Sequence, residues 1–324
     1  MGSSCSVIIA AASTILPELF SGGGSGEPLV RTVDRGRIDG VLPTRHSKKI
    51  DRFSQLVLLA AAQLKPIFAQ ADKSRVGVFI GNDLAGWNYA HQQLERMIKT
   101  RDPGQIDPYV ATAWFPAAAQ GEITIANGIL GQSKTFSAGC LSGGLALEYA
   151  AHMVAGGTLD FALAGGVEAP NAPPVLEALA VQNRISVAHP AAEAAGLVAL
   201  SRSKTAGLAE VTISHPRRSA ERALDDIINQ FRGAMRIKYQ PPSVDKANRA
   251  WMEALAATEM LLRYRFGSRL ELEAQPGDGM DVGSASFPIQ VIEAARSSAE
   301  GTSSLVLGCD FEGLHLACAI LPVA

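Results

Sequence analysis

Thr135-Phe-Ser-Ala-Gly-Cys140-Leu-Ser-Gly-Gly144 leads into an alanine-rich stretch to Ala155, and Asp160-Phe-Ala-Leu-Ala-Gly-Gly-Val-Glu168 follows closely. Apolar positions recur every three or four residues over Gly143–Ala155, which predicts a helix, while Phe161–Ala164 reads as a short buried strand. The turn that opens the helix carries a cysteine. A thiol at a helix N-terminus feels the positive end of the helix dipole, which stabilises thiolate and predicts a lowered pKa for Cys140. The opposing reading makes Cys140 a small core residue, and the residues alone leave both open.

Outward from this stretch, short runs rich in Val, Ile and Leu alternate with alanine-rich stretches of helical period. That is the pattern of a buried sheet covered by helices, an α/β fold. Strands are expected at Ser6–Ala11, Val76–Gly81, Gly196–Ser201, Glu210–Ser214, Ser304–Cys309 and Leu314–Leu321. Helices are expected at Arg52–Gln63, Trp87–Lys99, Ala220–Phe231, Lys246–Arg263 and Pro288–Ser297. Ser21-Gly22-Gly23-Gly24-Ser25-Gly26 lacks the strand-to-helix context and the Lys-Ser/Thr of a phosphate-cradling loop, so it reads as a linker. A polar stretch over Ser201–Gly207 divides the chain into residues 1–205 and 206–324, with no close sequence repeat between them.

The bulk properties exclude several classes. A chain of 324 residues with 47% hydrophobic content can build a large core as one large or two medium domains. Charged residues make up 19%, the formal net charge is −2, and lysine and arginine are scattered, so no basic face invites nucleic acid. The apolar run Cys5–Leu16 lacks a basic flank and is interrupted by Ser6, Ser13 and Thr14; it reads as a strand, neither a bilayer span nor a signal peptide. Met1-Gly-Ser-Ser-Cys-Ser6 fits the loose myristoylation pattern, but a strand starting here needs its N-terminus in a sheet, so acylation and membrane attachment are not expected. Cys5, Cys140, Cys309 and Cys318 include no C-x-x-C pair, which argues against a disulfide framework or a cysteine zinc site and for a reducing cytoplasm.

The Cys140 segment and the strand to Glu168 resemble the nucleophile region of β-ketoacyl synthases, down to the spacing from the cysteine to Gly165. Asp51-Arg-Phe-Ser-Gln-Leu56, Gly77-Val-Phe-Ile-Gly81, Phe115-Pro116 through Gly131, and Glu193-Ala-Ala-Gly196 follow the family's order over most of residues 50–202. Asp310-Phe-Glu-Gly313 resembles its phenylalanine-glycine-glycine turn, and Gly283-Ser284 lies nine residues before Glu293 as its glycine-histidine pair does. The resemblance implies a thiolase-like fold: α-β-α-β-α layers from two related halves, here 1–205 with the nucleophile position and a shortened 206–324. It also implies a dimer through a strand beside the nucleophile, at Lys134–Ala138.

The same resemblance shows what chemistry remains. Backbone N–H groups of Cys140 and Phe311 would form the family's oxyanion hole. Condensation further needs two histidines against the enolate oxygen of a decarboxylating malonyl thioester. One is replaced by Ser284, and the lysine five residues before it by Gly279. The His-Gly-Thr turn is absent, since no histidine occurs between His215 and His315, and the stretch Tyr239–Lys246 stands there instead. A hydroxyl carries no positive charge and supplies no acid–base capacity near neutral pH, so self-sufficient condensation is not expected. His315 reads as a packed strand residue, and His46, His91, His152, His189 and His215 as surface or capping residues.

Four functions follow. The leading one is a chain-length factor, the ketosynthase-like partner that shapes the acyl tunnel of a type II polyketide synthase; the shortened length agrees with lost catalytic loops. Its partners would be a catalytic ketosynthase in a heterodimer and an acyl carrier protein with its phosphopantetheine arm; no bound cofactor and no metal are expected. Ala111, Thr112, Trp114, Phe115 and Ala118 would line the tunnel and interface with Trp114 as plug, unless Trp114 and Phe115 are ordinary core aromatics. The alternative is an acyltransferase or priming enzyme that loads acyl groups from the carrier onto Cys140, chemistry that needs a thiolate but no decarboxylation. A condensing synthase with substituted histidines and a purely structural remnant complete the set.

Overall fold

The runs of branched and small apolar residues form the strands of a computed structural model that describes residues 5–18, 29–203, 207–232, 234, 236–239, 241, 248–273, 279–298, 302–310 and 313–323. Among the described residues the strands are β1 (Cys5–Ile15), β2 (Val30–Arg31), β3 (Val76–Gly81), β4 (Ser133–Phe136), β5 (Phe161–Glu168), β6 (Ala191–Ala192), β7 (Ala194–Ser201), β8 (Ala209–Ile213), β9 (Ile237–Tyr239), β10 (Leu270–Leu272), β11 (Ser303–Cys309) and β12 (His315–Leu321). The longer helices are α1 (Arg52–Phe68), α2 (Trp87–Thr100), α3 (Ala118–Asn127), α4 (Ser142–Ala155), α5 (Pro173–Val181), α6 (Ala220–Ile227), α7 (Arg249–Phe266) and α8 (Ser286–Ser297). Every expected strand and helix is present with its ends shifted by a few residues. Helix α1 runs past Gln63 and through Pro66 because Leu64 and Phe68 continue its buried stripe.

Ten strands make one sheet in the order β10-β9-β11-β12-β8-β1-β7-β5-β3-β4. Its two halves repeat one design. Outward from the centre, β1-β7-β5-β3-β4 pair antiparallel, antiparallel, parallel and parallel. The series β8-β12-β11-β9-β10 pairs in the same senses. The halves join where β1 and β8 run antiparallel, Cys5 opposite Ile213 and Ile9 opposite Ala209.

Alternation along each strand sends successive side chains into different layers. In β12, Leu316, Cys318 and Ile320 face α4 and α8, whereas Ala317 and Ala319 face α6 and α7. In β5, Ala162 and Ala164 face the central helices, and Leu163 faces α1 and α3. The order is therefore α1 and α3, the first half-sheet, α4 and α8, the second half-sheet, α6 and α7: the expected α-β-α-β-α layering. None of the described helices is long and apolar enough to cross a membrane.

Motifs far apart in sequence meet in this frame. Asp51 caps α1 through Phe53 N–H at 3.1 Å and accepts from Tyr89 N–H at 2.6 Å. The next residue, Arg52, makes two bonds to Glu193 at 2.7 and 2.8 Å, and Glu193 also accepts from Val33 N–H at 2.7 Å. A buried pair of this kind tolerates loss of one partner badly, because the other charge remains without compensation.

Glycines let the layers approach. A methyl on Gly81 would stand 2.1 Å from the Ser142 carbonyl carbon, and methyls on Gly143 and Gly166 would stand 2.3 and 2.2 Å from the Ser284 carbonyl oxygen. Overpacking such a contact typically costs about 1–3 kcal/mol. We expect Gly143→Ala to lose about 2–3 kcal/mol in urea unfolding; an unchanged midpoint with an unchanged slope would refute the close-approach account.

Candidate functional site

The Cys140 turn is built by its neighbours. Gly139 has φ +65°, a left-handed conformation that glycine adopts without steric cost, and it turns the chain from β4 into α4. Ser142 latches the turn: its hydroxyl accepts from Ala138 N–H at 2.8 Å and donates to the Gly139 carbonyl at 2.6 Å. These contacts set Cys140 just ahead of the first turn of α4.

The thiol points across the molecule to the end of β11 and donates to the Cys309 carbonyl at 3.4 Å. It lies in a cavity of about 80 Å³ whose walls include Arg184, His189, Trp251, Asp281, Phe287 and Cys309. That volume is far below the roughly 300–1,000 Å³ of ordinary small-molecule pockets. Arg184 is clamped by Asp281 at 3.0 Å and lies 3.7 Å from Asp83.

The sequence predicts a lowered pKa for Cys140, and the structure reverses this. Burial pushes the thiol up to about 12; Arg184 acts against the rise, while Asp281, Cys309 and Asp310 add to it. Desolvation of a thiolate outweighs one helix terminus and one neutralised arginine. Cys309 is likewise raised, to about 11, mainly by burial.

Ser284 does not face this cavity. Fully buried in the short turn Gly283–Ala285 ahead of α8, it donates toward the carbonyls of Gly81 at 3.3 Å and Val167 at 3.2 Å. Below it the buried carboxyl of Glu168 accepts from Asp83 N–H at 2.5 Å and Leu84 N–H at 3.2 Å. Burial lifts Glu168 to about 7, against the lowering influence of the Ser284 hydroxyl and the two backbone N–H groups. Phe311, the expected second oxyanion donor, lies outside the described residues, as do most of Tyr239–Lys246 and the glycine-rich linker at 21–26.

The five interface residues form a separate surface. Ala111 and Thr112 are exposed, Ala118 is half-buried, and Trp114 and Phe115 are 49% and 54% exposed. This excludes the core-aromatic reading for the latter two. Their rings meet edge-on with centroids 6.5 Å apart. Gly86 N–H and the Asn82 side chain bind the carbonyls of Trp114 and Pro116 and hold the loop beside β4. Strand β4 is the edge of the ten-stranded sheet, with Ile125 and Leu130 exposed on the approach to it.

The histidines depart most from expectation. His189 is buried and lines the Cys140 cavity, so it is no surface residue. His152 and His215 are part-buried and share Glu148. His46 and His91 stand beside Glu122 and Glu95. His315 is packed as expected: burial lowers its pKa and its backbone pairs with Arg217. Arg184, His189 and Asp281 were the missed members of the site. No local motif marks them, since it is the pairing of Ala191 with Asp281 and the turn Ser186–His189 that carry them to Cys140.

Comparison with known proteins fits this geometry. The β-ketoacyl synthase N-terminal domain family matches residues 36–202. The tetracenomycin polyketide synthase ketoacyl synthase beta subunit of Streptomyces glaucescens is 32% identical over 134 residues, 40% of this chain and 32% of that protein. The chain thus spans about a third of the length of that relative. Among solved structures, a type II polyketide synthase acyl-carrier protein in complex with its ketosynthase bound to the hexaketide aligns with TM-score 0.77 at 20% identity, over 99% of this chain and 100% of that one. The ketosynthase ApeO in complex with its chain length factor ApeC from Xenorhabdus doucetiae aligns at 0.76 and 14%, over 99% and 98%. These alignments establish the thiolase-like ketosynthase fold.

Two outcomes follow. Cys140 should react with iodoacetamide far more slowly at pH 7–8 than an exposed cysteine, its rate still rising at pH 10; fast, pH-flat labelling located by peptide mapping would contradict the buried thiol. Glu168 holds its proton in the fold to about pH 7 but releases it near 4.5 when unfolded, so its stabilising contribution is complete at low pH and is lost as pH rises through this window. Glu168→Gln should therefore flatten the decline of Tm between pH 5 and 8, a difference of up to about 3 kcal/mol; parallel curves for the two proteins would refute it.

Proposed function

The chain belongs to the β-ketoacyl synthase family, and on that premise we propose that it is a chain-length-factor-like subunit, which pairs with a catalytic ketosynthase and shapes the acyl tunnel without condensing chains itself. The observation that carries this reading is the state of the nucleophile position. Desolvation pushes the Cys140 thiol well above the ordinary thiol range, and its hydrogen is directed at the Cys309 carbonyl. Ser284, at the place of a family histidine, gives its hydroxyl to backbone carbonyls of the first half and so serves packing.

The partner would dock at β4. An exposed edge strand is a template for pairing, and here it lies beside Trp114, Phe115, Ile125 and Leu130. Lys134 on β4, its ammonium over the rings of Phe136 and Tyr149, keeps a charge on that edge and discourages unselective pairing. The name of the Streptomyces relative, a ketoacyl synthase beta subunit, supports a heterodimer. An acyl carrier protein would bring the growing chain on its phosphopantetheine arm to the catalytic subunit, in the cytoplasm. We place the divide between the halves at residues 205 and 206, in the link from β7 to β8.

The acyltransferase alternative draws on Arg184 and His189 at the Cys140 cavity, but a carboxylate already neutralises that arginine. The test is co-expression with a catalytic type II ketosynthase from the same source. The two should purify as a 1:1 complex, and Trp114→Ala should lengthen the product by at least one two-carbon unit with the complex intact. Unchanged product length in an intact complex would remove Trp114 from the tunnel; a chain that never associates would remove the subunit reading.

A further inference from the structure

At the far end of α4 from Cys140, three metal-ligating side chains converge. Glu148 and His152 stand one helical turn apart on α4, and His215 follows the end of β8. One carboxylate oxygen of Glu148 lies 3.1 Å from His152 Nε2 and 3.0 Å from His215 Nδ1. The donor atoms of the three residues lie within 4.8 Å of one another, and the two imidazoles stack at 4.8 Å with planes only 7° apart. Side-chain exposures of 12%, 30% and 28% leave the cluster screened from solvent but reachable by an ion.

The elements around it fix these positions. The Ser214 hydroxyl accepts from Ala317 N–H at 2.9 Å and donates to the His215 carbonyl at 3.0 Å, which ties the backbone beside His215 to β12. Cys5, opposite Ile213 on β1, places its sulfur 3.3 Å from His152 Nδ1, the ring nitrogen turned away from Glu148. A partner on the far nitrogen is what orients a ligating histidine and selects its tautomer.

We propose that Glu148, His152 and His215 bind a divalent transition metal of the zinc class. Two imidazoles and one carboxylate form a common three-residue zinc set, and a water completes the tetrahedron. Two imidazole nitrogens directed at one carboxylate oxygen each carry a proton; when the metal binds, each ring's proton moves to its other nitrogen, Nδ1 of His152 and Nε2 of His215, and the metal accepts the two lone pairs so freed. Cys5 then accepts from His152 Nδ1–H and acts on the site through that ring. The ion links α4, which begins at the nucleophile position, to the β1–β8 seam where the half-sheets join.

The test uses the whole untagged chain, stripped with a chelator and titrated with Zn²⁺ against a chromophoric competitor. One equivalent should bind, and His215→Ala and His152→Gln should each weaken it at least tenfold, with far-UV dichroism confirming both folded. Zn²⁺ should raise the Tm of the wild type and of Cys140→Ser but of neither histidine variant. Folded wild type that takes up no Zn²⁺, or histidine variants that bind as tightly as wild type, would overturn the proposal.

Discussion

The carbonyl oxygen of Ser284 lies against two glycines of the opposite half, Gly143 at the start of α4 and Gly166 in β5, closer than any side chain would permit. The Ser284 hydroxyl adds bonds to the ends of β3 and β5 through Gly81 and Val167. This one turn of the second half thus reaches through the central layer and fixes the start of α4, hence the Cys140 turn. The glycines along these segments are requirements of distance between backbones, and the serine is the part that fills the space.

The electrostatics follow from the same tightness. Cys140, part-buried at its cavity, and Glu168, fully buried, are both pushed toward the neutral form chiefly by desolvation, which Arg184 opposes at Cys140 and the Ser284 hydroxyl and two backbone N–H groups oppose at Glu168. Arg184, the cation that would most help a thiolate, is held by Asp281 and flanked by Asp83. A site that keeps its thiol protonated and its cavity small is suited to persistence as structure. Exposed features lie elsewhere: Trp114 and Phe115 on their loop and, among the described residues, the edge strand β4.

Much of the fold was legible in the sequence because long elements carry their period with them: β1, β3, α1, α4 and α8 each announced themselves by spacing of apolar residues. The three-residue strands β9 and β10 did not, since their existence rests on pairing with β11 and with one another. The duplication of the two halves left no trace in residue identity, yet strand order and sense repeat five for five. Motif reading singled out Cys140 and Ser284, which the fold places apart, and did not single out Arg184, His189 and Asp281, which tertiary pairing brings to the Cys140 cavity. It also misjudged the sign of the Cys140 shift, because a helix terminus is visible in sequence and depth of burial is not.

The account turns on whether Cys140 ever carries an acyl group. Intact-protein mass spectrometry after incubation with acyl- and malonyl-carrier proteins, with and without the catalytic ketosynthase, tests this in the wild type and in Cys140→Ala. The account predicts acyl mass on the ketosynthase alone and equal turnover for both versions of this chain. An acyl adduct on this chain that disappears in Cys140→Ala would contradict it and make the chain an acyl-transferring enzyme.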